Sequence, residues 1–320
     1  MTRFVVRRLV GMALVLFAVS VLVFLIFNVI PGSSPAQRLA GRNPTPQLVS
    51  SIEEEWGFDE SLPEQYATMM KKVFTGELTS YEPRVPVDDR IAEGIPATLS
   101  LSIGAAIVWL SFGLLLGYVS AIRAGGALDK LLTGLAIAGI SIPVFLLAPV
   151  LLYFLTYKLE IFPNGGYVGL TEDPWGWFTH LILPWFTVAV LSIGFYSRVL
   201  RSNMLDAMNE DYVRTARAKG LSERQVMTRH VLRNSLIPIV TLFGLDFGAT
   251  VAGTAIITER LYEIEGVGYY AAEGIVNLEL PPIMGVTLYG AFFVVFVNAL
   301  VDIAYAYFDP RVRLGASAPA

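Results

Sequence analysis

The sequence predicts an all-α protein that crosses a membrane six times. Three observations carry that expectation. Apolar residues make up 54% of the 320, charged residues only 16%, and mean hydropathy is +0.59. A soluble domain of this size spreads about a quarter of its residues as charges over its surface; here the charges are bunched, leaving long neutral runs between them.

A helix needs about 20 apolar residues to cross the hydrocarbon core. Leu9–Ile30 follows Arg3, Arg7 and Arg8 and is too long for a cleavable leader, so it is read as a retained first span. Ala97–Ile122 and Leu131–Tyr157 are free of charge, the latter despite Pro143 and Pro149, which bundled helices tolerate when neighbours satisfy the freed carbonyls. Trp175–Ser197 is the fourth span and contains His180. Leu236–Thr258 carries Asp246, and Ile283–Phe308 carries Asp302 near its end.

Orientation follows from the placement of Lys and Arg. With both termini inside, the inner segments hold 15 of the 23 basic residues and a formal charge of +9, and the outer segments −11; the two intramembrane aspartates complete the net −4. The expected organisation is an inner terminus with its span over 1–30, an outer segment over 31–96, a five-helix core over 97–308 that includes an inner loop at 198–235, and an inner tail over 309–320. Within the outer segment, Tyr66, Met69, Met70, Val73 and Phe74 recur at helical spacing. They suit a short helix that either lies on the membrane surface or packs on the outer ends of the spans.

The inner loop holds the strongest local signals. Asn209, Glu210, Asp211 and Tyr212 read as a helix start, with carboxylates at the positive end of the dipole. Arg214, Arg217 and Lys219 fall toward its end, Gly220 supplies a left-handed stop, and Ser222 with Gln225 three residues later reads as a capping box. Two ordered helices around a glycine turn make a rigid elbow able to dock a soluble partner; the alternative is a basic loop held against anionic lipid.

The run Tyr212-Val213-Arg214-Thr215-Ala216-Arg217-Ala218-Lys219-Gly220-Leu221-Ser222 resembles the cytoplasmic coupling motif of binding-protein-dependent ABC permeases, written EAA, three residues, Gly. Aligned on Gly220, only Ala216 of the first three positions matches, and downstream only Leu232 and Pro238 do. These departures are similar to the form found in the dipeptide, oligopeptide and nickel permeases of the B-subunit type. Phe27-Asn28-Val29-Ile30-Pro31-Gly32, Trp56-Gly57-Phe58-Asp59, Pro96-Ala97-Thr98-Leu99, Ser141-Ile142-Pro143, Phe162-Pro163-Asn164-Gly165-Gly166 and Asp309-Pro310-Arg311-Val312-Arg313 add to the likeness across nearly the whole chain; Leu280-Pro281-Pro282 departs from it. The resemblance implies a type I importer permease in the cell membrane, paired with a second related permease, two ATP-binding subunits and an external solute-binding protein that delivers peptides. It places ATPase coupling on Tyr212, Arg214, Ala216, Arg217, Lys219, Gly220, Leu221 and Ser222. ATP and Mg would belong to the partner subunits: a P-loop needs Gly-Lys-Ser/Thr, and none of the five lysines here follows a glycine.

Asp246, Asn298 and Ser141 are candidates for the translocation pathway. An intramembrane acid is a functional hypothesis by default, although Asp246 could instead pair with a helix-end cation. Asn28 and Asn298 also suit hydrogen bonds between helices, and Asp302 suits a structural role. Gly113 with Gly117, and Gly244 with Gly248 and Ala252, form small-residue stripes for close helix contact or for sliding. His180 and His230 read as interfacial and packing residues, and the chain has no cysteine, so no metal site or disulfide is expected. Membrane lipid is an expected neighbour and nucleic acid is not. Two other classes compete: a stand-alone channel or secondary transporter, which would not need the elbow, and an intramembrane protease, which would need a Ser–His pair that His180 and His230, on opposite sides of the membrane, do not offer.

Overall fold

A computed structural model describes residues 2–29, 35–40, 45–81 and 84–308. The tail over 309–320, with Asp309 to Arg313, lies outside these residues, as do Pro31 and Gly32; the side chains of Asn28 and Asp302 are likewise outside them. Contacts divide the chain into two units, Met1–Pro96 with Glu265–Phe293, and Ala97–Ile264 with Val294–Ala320. The boundary falls inside two long helices.

The first unit begins with α1 (Thr2–Val29), followed by α2 (Pro35–Leu39), α3 (Pro46–Trp56) and α4 (Leu62–Thr75). Local chemistry sets these bounds. Thr45 caps α3 through Leu48 N–H, and Gly57 at φ 69° ends it. Ser61 N–H donates to Glu64 at 3.1 Å at the start of α4, and Gly76 at φ 71° closes it. The expected short helix is therefore present, and it packs on α1: Tyr66 lies edge-on to Phe24 at 5.4 Å and shares a 2.7 Å hydrogen bond with Ser20. The unit also contains the first turns of α5 (Val87–Ile122), then α14 (Val267–Asn277) and the start of α15 (Leu280–Phe308). A Cβ on Gly94 would meet Val267 N at 2.7 Å, so only glycine permits that approach of α5 to α14.

The second unit is built on α5, α6 (Ala127–Ser141), α7 (Val144–Leu151) and α8 (Pro174–Met208), then α9 (Asp211–Ala218), α10 (Glu223–Gln225), α11 (Leu232–Ser235), α12 (Ile237–Ala249) and α13 (Ile256–Leu261). Three π-helical stretches interrupt them, Leu152–Lys158, Val226–Val231 and Thr250–Thr254. At 35 residues α8 is about 52 Å long, well beyond the roughly 30 Å of a bilayer core. It forms the spine of the unit. Gly113 and Gly117 of α5 rest on it, their Cβ positions 2.9 Å from Tyr196 Cβ and 2.6 Å from Ser197 O. Gly194 takes α6 against Ala136 O, and Gly104 accommodates the Trp185 ring, whose Nε1 donates to Ser100 O at 2.9 Å. Gly248 meets Val294 of α15. Gly113, Gly117 and Gly248 are points of close helix contact in this conformation. Around them Leu101, Trp109, Leu181, Tyr196, Leu200 and Met204 are almost wholly buried.

Among the described residues four unbroken helices are long and apolar enough to be spans, and two bent pairs bring the number to six where each is taken as one span. The third span differs from the continuous helix predicted. It turns by 100° between Ser141 and Val144. The cause is local: proline disfavours helical geometry in the residue before it, and Ile142 is extended at φ −87°, ψ 117°. The fifth span is bent by 46° from the preceding Glu223–Ser235 segment and is helical only to Thr254, where Gly253 at φ 159° interrupts it. The fourth runs eleven residues past its predicted end at Ser197, to Met208.

Candidate functional site: a rigid elbow and two acidic centres

The elbow is as ordered as its capping signals imply. After α8 ends, Glu210 in extended geometry caps α9, and Thr215 Oγ donates to Asp211 O at 2.9 Å. Val213 and Ala216, three residues apart, share the buried face. Tyr212, Arg214, Arg217, Lys219, Leu221 and Ser222 are exposed. Gly220 turns the chain at φ 79°, and its N–H reaches Arg217 O at 2.9 Å. Nothing lies within 4 Å of a Cβ placed there, so the demand for glycine comes from the backbone angle and not from crowding.

Ser222 N–H and Oγ both donate to Gln225 Oε1, at 3.2 and 3.0 Å. Arg217 then crosses the turn to Glu223 with two bonds, Nη2 to Oε1 at 2.8 Å and Nε to Oε2 at 3.2 Å. The guanidinium holds the Glu223 carboxyl below its ordinary range. The second arm is not the separate short helix predicted. It continues through the π stretch, which buries Val226, Met227 and Val231, to α11, where Asn203 of α8 donates to Ser235 O at 3.3 Å. The elbow thus has an apolar inner side fixed to α8 and a polar outer side, with both arms tied across Gly220.

Asp129, in the first turn of α6, is 3% exposed. Arg201 Nε and Nη2 of α8 donate to its two oxygens, each at 2.7 Å. Gly125 N–H donates at 2.8 Å, and Ser120 of α5 donates as well. One carboxylate joins three helices. Asp246 of α12 is held differently: Tyr196 of α8, wholly buried, donates its hydroxyl to Oδ2 at 2.8 Å.

Of the other predicted pathway residues, Ser141 is exposed at the end of α6 and donates to Ile137 O at 2.8 Å. Asn298 is half-buried in α15. No hydrogen bond joins Ser141, Asp246 and Asn298 among the described residues. His180 Nδ1 bonds Gly176 O at 2.7 Å, and His230 is half-buried in the π stretch. Three polar contacts were invisible to sequence reasoning: Asp129 with Arg201, Tyr196 with Asp246, and Thr98 with Glu259, whose fully buried carboxylate accepts at 2.7 Å although its charge suggests an outer loop. Their members lie 72, 50 and 161 residues apart, beyond any local pattern.

Long apolar helices with a capped elbow between them describe a membrane protein, and comparison with known proteins names the class. Residues 113–314 match the binding-protein-dependent transport system inner membrane component family, and residues 1–102 match the N-terminal component of the same systems. Similar proteins include the dipeptide transport system permease protein DppB of Bacillus subtilis, 33% identical over 98% of this chain and 99% of that protein. The glutathione transport system permease protein GsiC of Escherichia coli O6:H1 is 33% identical over the same shares. A protein of Sinorhizobium fredii named as a probable peptide ABC transporter permease is 35% identical over 97% of this chain and 99% of its own length. The chain belongs to the inner membrane component family of binding-protein-dependent transport systems. It is the permease subunit of an ABC importer.

Proposed function

We propose that the chain forms half of an import pathway for peptides, that the elbow around Gly220 is where separate ATPase subunits dock, and that both termini face the cytoplasm. A second, related permease completes the pathway, a solute-binding protein delivers cargo from outside, and the two ATPases bind ATP and Mg. The observation that carries this reading is the elbow: one face is buried through Val213, Ala216, Val226 and Met227, the second arm is tied to α8 through Asn203 and Ser235, and the other face is exposed with Tyr212, Arg214, Lys219 and Leu221. A lever needs both, a seat for a moving partner and a stiff attachment to the spans. The absence of a Gly-Lys-Ser/Thr run supports a nucleotide site on another chain. Lys and Arg gathered on the elbow's side support its cytoplasmic placement. Peptide cargo is supported by the names of the relatives.

Affinity purification of this chain in mild detergent tests the assembly. Two ATPases and a sister permease are expected to co-purify; recovery of the chain alone would defeat the reading. Gly220→Val tests the lever. It forces a branched residue to φ 79°, a local cost of about 1–2 kcal/mol, which a six-span protein survives. Import is expected to fall while the chain still reaches the membrane, and unchanged import would show that the turn does not carry the motion.

A further inference from the structure

We propose that the Asp246 carboxylate is the binding site for the ammonium group of the transported solute. The identity of that solute rests on the peptide reading above; the site itself rests on the surroundings of Asp246. The acid lies within a span, where an isolated charge is unfavourable and is retained where it meets a substrate or a counter-charge. No Lys or Arg pairs with it among the described residues. Its side-chain partner is a neutral hydroxyl, Tyr196, bound to Oδ2, which leaves Oδ1 unengaged.

The two partners differ in access. Tyr196 is wholly buried, whereas Asp246 keeps part of its surface open. The hydroxyl therefore fixes the carboxylate from the core side without closing it off. Aromatic rings gather around this pair. Trp109 lies 6.5 Å from the Tyr196 ring and 6.3 Å from Phe243, and Phe243 stacks on Phe247 at 5.5 Å. A half-open carboxylate joined through Tyr196 to an aromatic cluster is complementary to an organic cation with a compact charge. The Trp109 indole N–H is also buried without a hydrogen-bond partner among the described residues. Such a leftover donor is rare in a settled core. The core on the Tyr196 side therefore keeps an unfilled hydrogen bond, while the carboxylate is the group open to a ligand.

The test uses the complete transporter in liposomes, with saturating binding protein and radiolabelled trialanine. Asp246→Asn keeps the side-chain volume and an acceptor for Tyr196 and removes only the charge. Uptake is expected to fall at least about tenfold, the loss of one charge-assisted bond, with the yield of folded complex within about twofold of the parent. Parental uptake would overturn the inference, because a permanently protonated aspartate is what asparagine mimics. A fall in uptake matched by an equal fall in folded complex would overturn it too. A second measurement does not depend on the cargo. The chain has no cysteine, so Ala249→Cys, at an exposed position three residues on, reports the local environment alone. A cationic methanethiosulfonate is expected to outpace a neutral one there by several-fold, and Asp246→Asn to erase the preference. No reaction with either water-soluble reagent, or a preference indifferent to Asp246, defeats the site. If the parent complex carries no trialanine, the peptide reading fails by itself and the thiol reagents still decide the site.

Discussion

Asp129 and Asp246 are both aspartates in the helix bundle of the second unit, and the fold treats them in opposite ways. Asp129 is 3% exposed and accepts from Arg201 twice, from Gly125 and from Ser120. Asp246 is partly open and accepts from Tyr196. Removing a charge from water is costly unless other groups replace the water. Around Asp129 the replacement is complete, and α5, α6 and α8 are bound to one another through it. Around Asp246 it is partial. A carboxylate whose lone pairs are filled by the protein is a fastener; one left half-filled is free to bind something else.

Breaking the fastener is expected to have the larger effect on stability. Asp129→Asn removes the charge and leaves Arg201, 29% exposed, without its counter-ion. The expected loss is about 3 kcal/mol, the lower end for a broken buried pair, read as a lowered midpoint of thermal unfolding in detergent. Exchanging the two, Asp129→Arg with Arg201→Asp, is expected not to restore it, since the donors on Ser120 and Gly125 would then face a cation. Restoration by the swap would show that charge pairing alone holds the clamp. Tyr196→Phe deletes the hydroxyl on Asp246 and is expected to cost about 1 kcal/mol, the net value of one hydrogen bond. A loss as large as that at Asp129 would mean Asp246 is a fastener as well.

The legible parts of this molecule are those governed by short-range rules. Gly220, Ser222 with Gln225, and the carboxylates before α9 lie within one or two turns of the atoms they act on, so the elbow was readable as a string. The six apolar runs were readable because span length is a property of consecutive residues. The kink at Pro143 was present in the string but misjudged, since tolerance of proline by bundled helices was weighed above its effect on Ile142. What holds the bundle was not readable. Nothing near Asp129 announces Arg201, and nothing near Asp246 announces Tyr196, because those pairs are chosen by the packing of α8. Glu259 shows the same limit: a charge by itself suggests solvent, whereas Thr98 donates to it in a fully buried position.

Glu223 sharpens the comparison from the exposed end. Its side chain is 59% exposed, and Arg217, 41% exposed, pairs with it across the Gly220 turn. In geometry this pair matches the two-pronged grip on Asp129, but water screens it, so Glu223→Gln is expected to cost under about 1 kcal/mol at pH 7. The pair should also weaken in about 1 M salt, where charges screen within about 3 Å, whereas the buried clamp should not. Because folding lowers the Glu223 pKa, its contribution is fully present above the ordinary carboxylate value of about 4.3 and is lost as pH falls through the lowered one. Between pH 5 and 8 the elbow's order should therefore be flat with pH, which hydrogen exchange across residues 211–225 measures. Protection that declined with salt at Glu223 and was indifferent to it around Asp129 would establish burial, not geometry, as what separates a tether from a fastener. Equal salt sensitivity at both would remove that distinction.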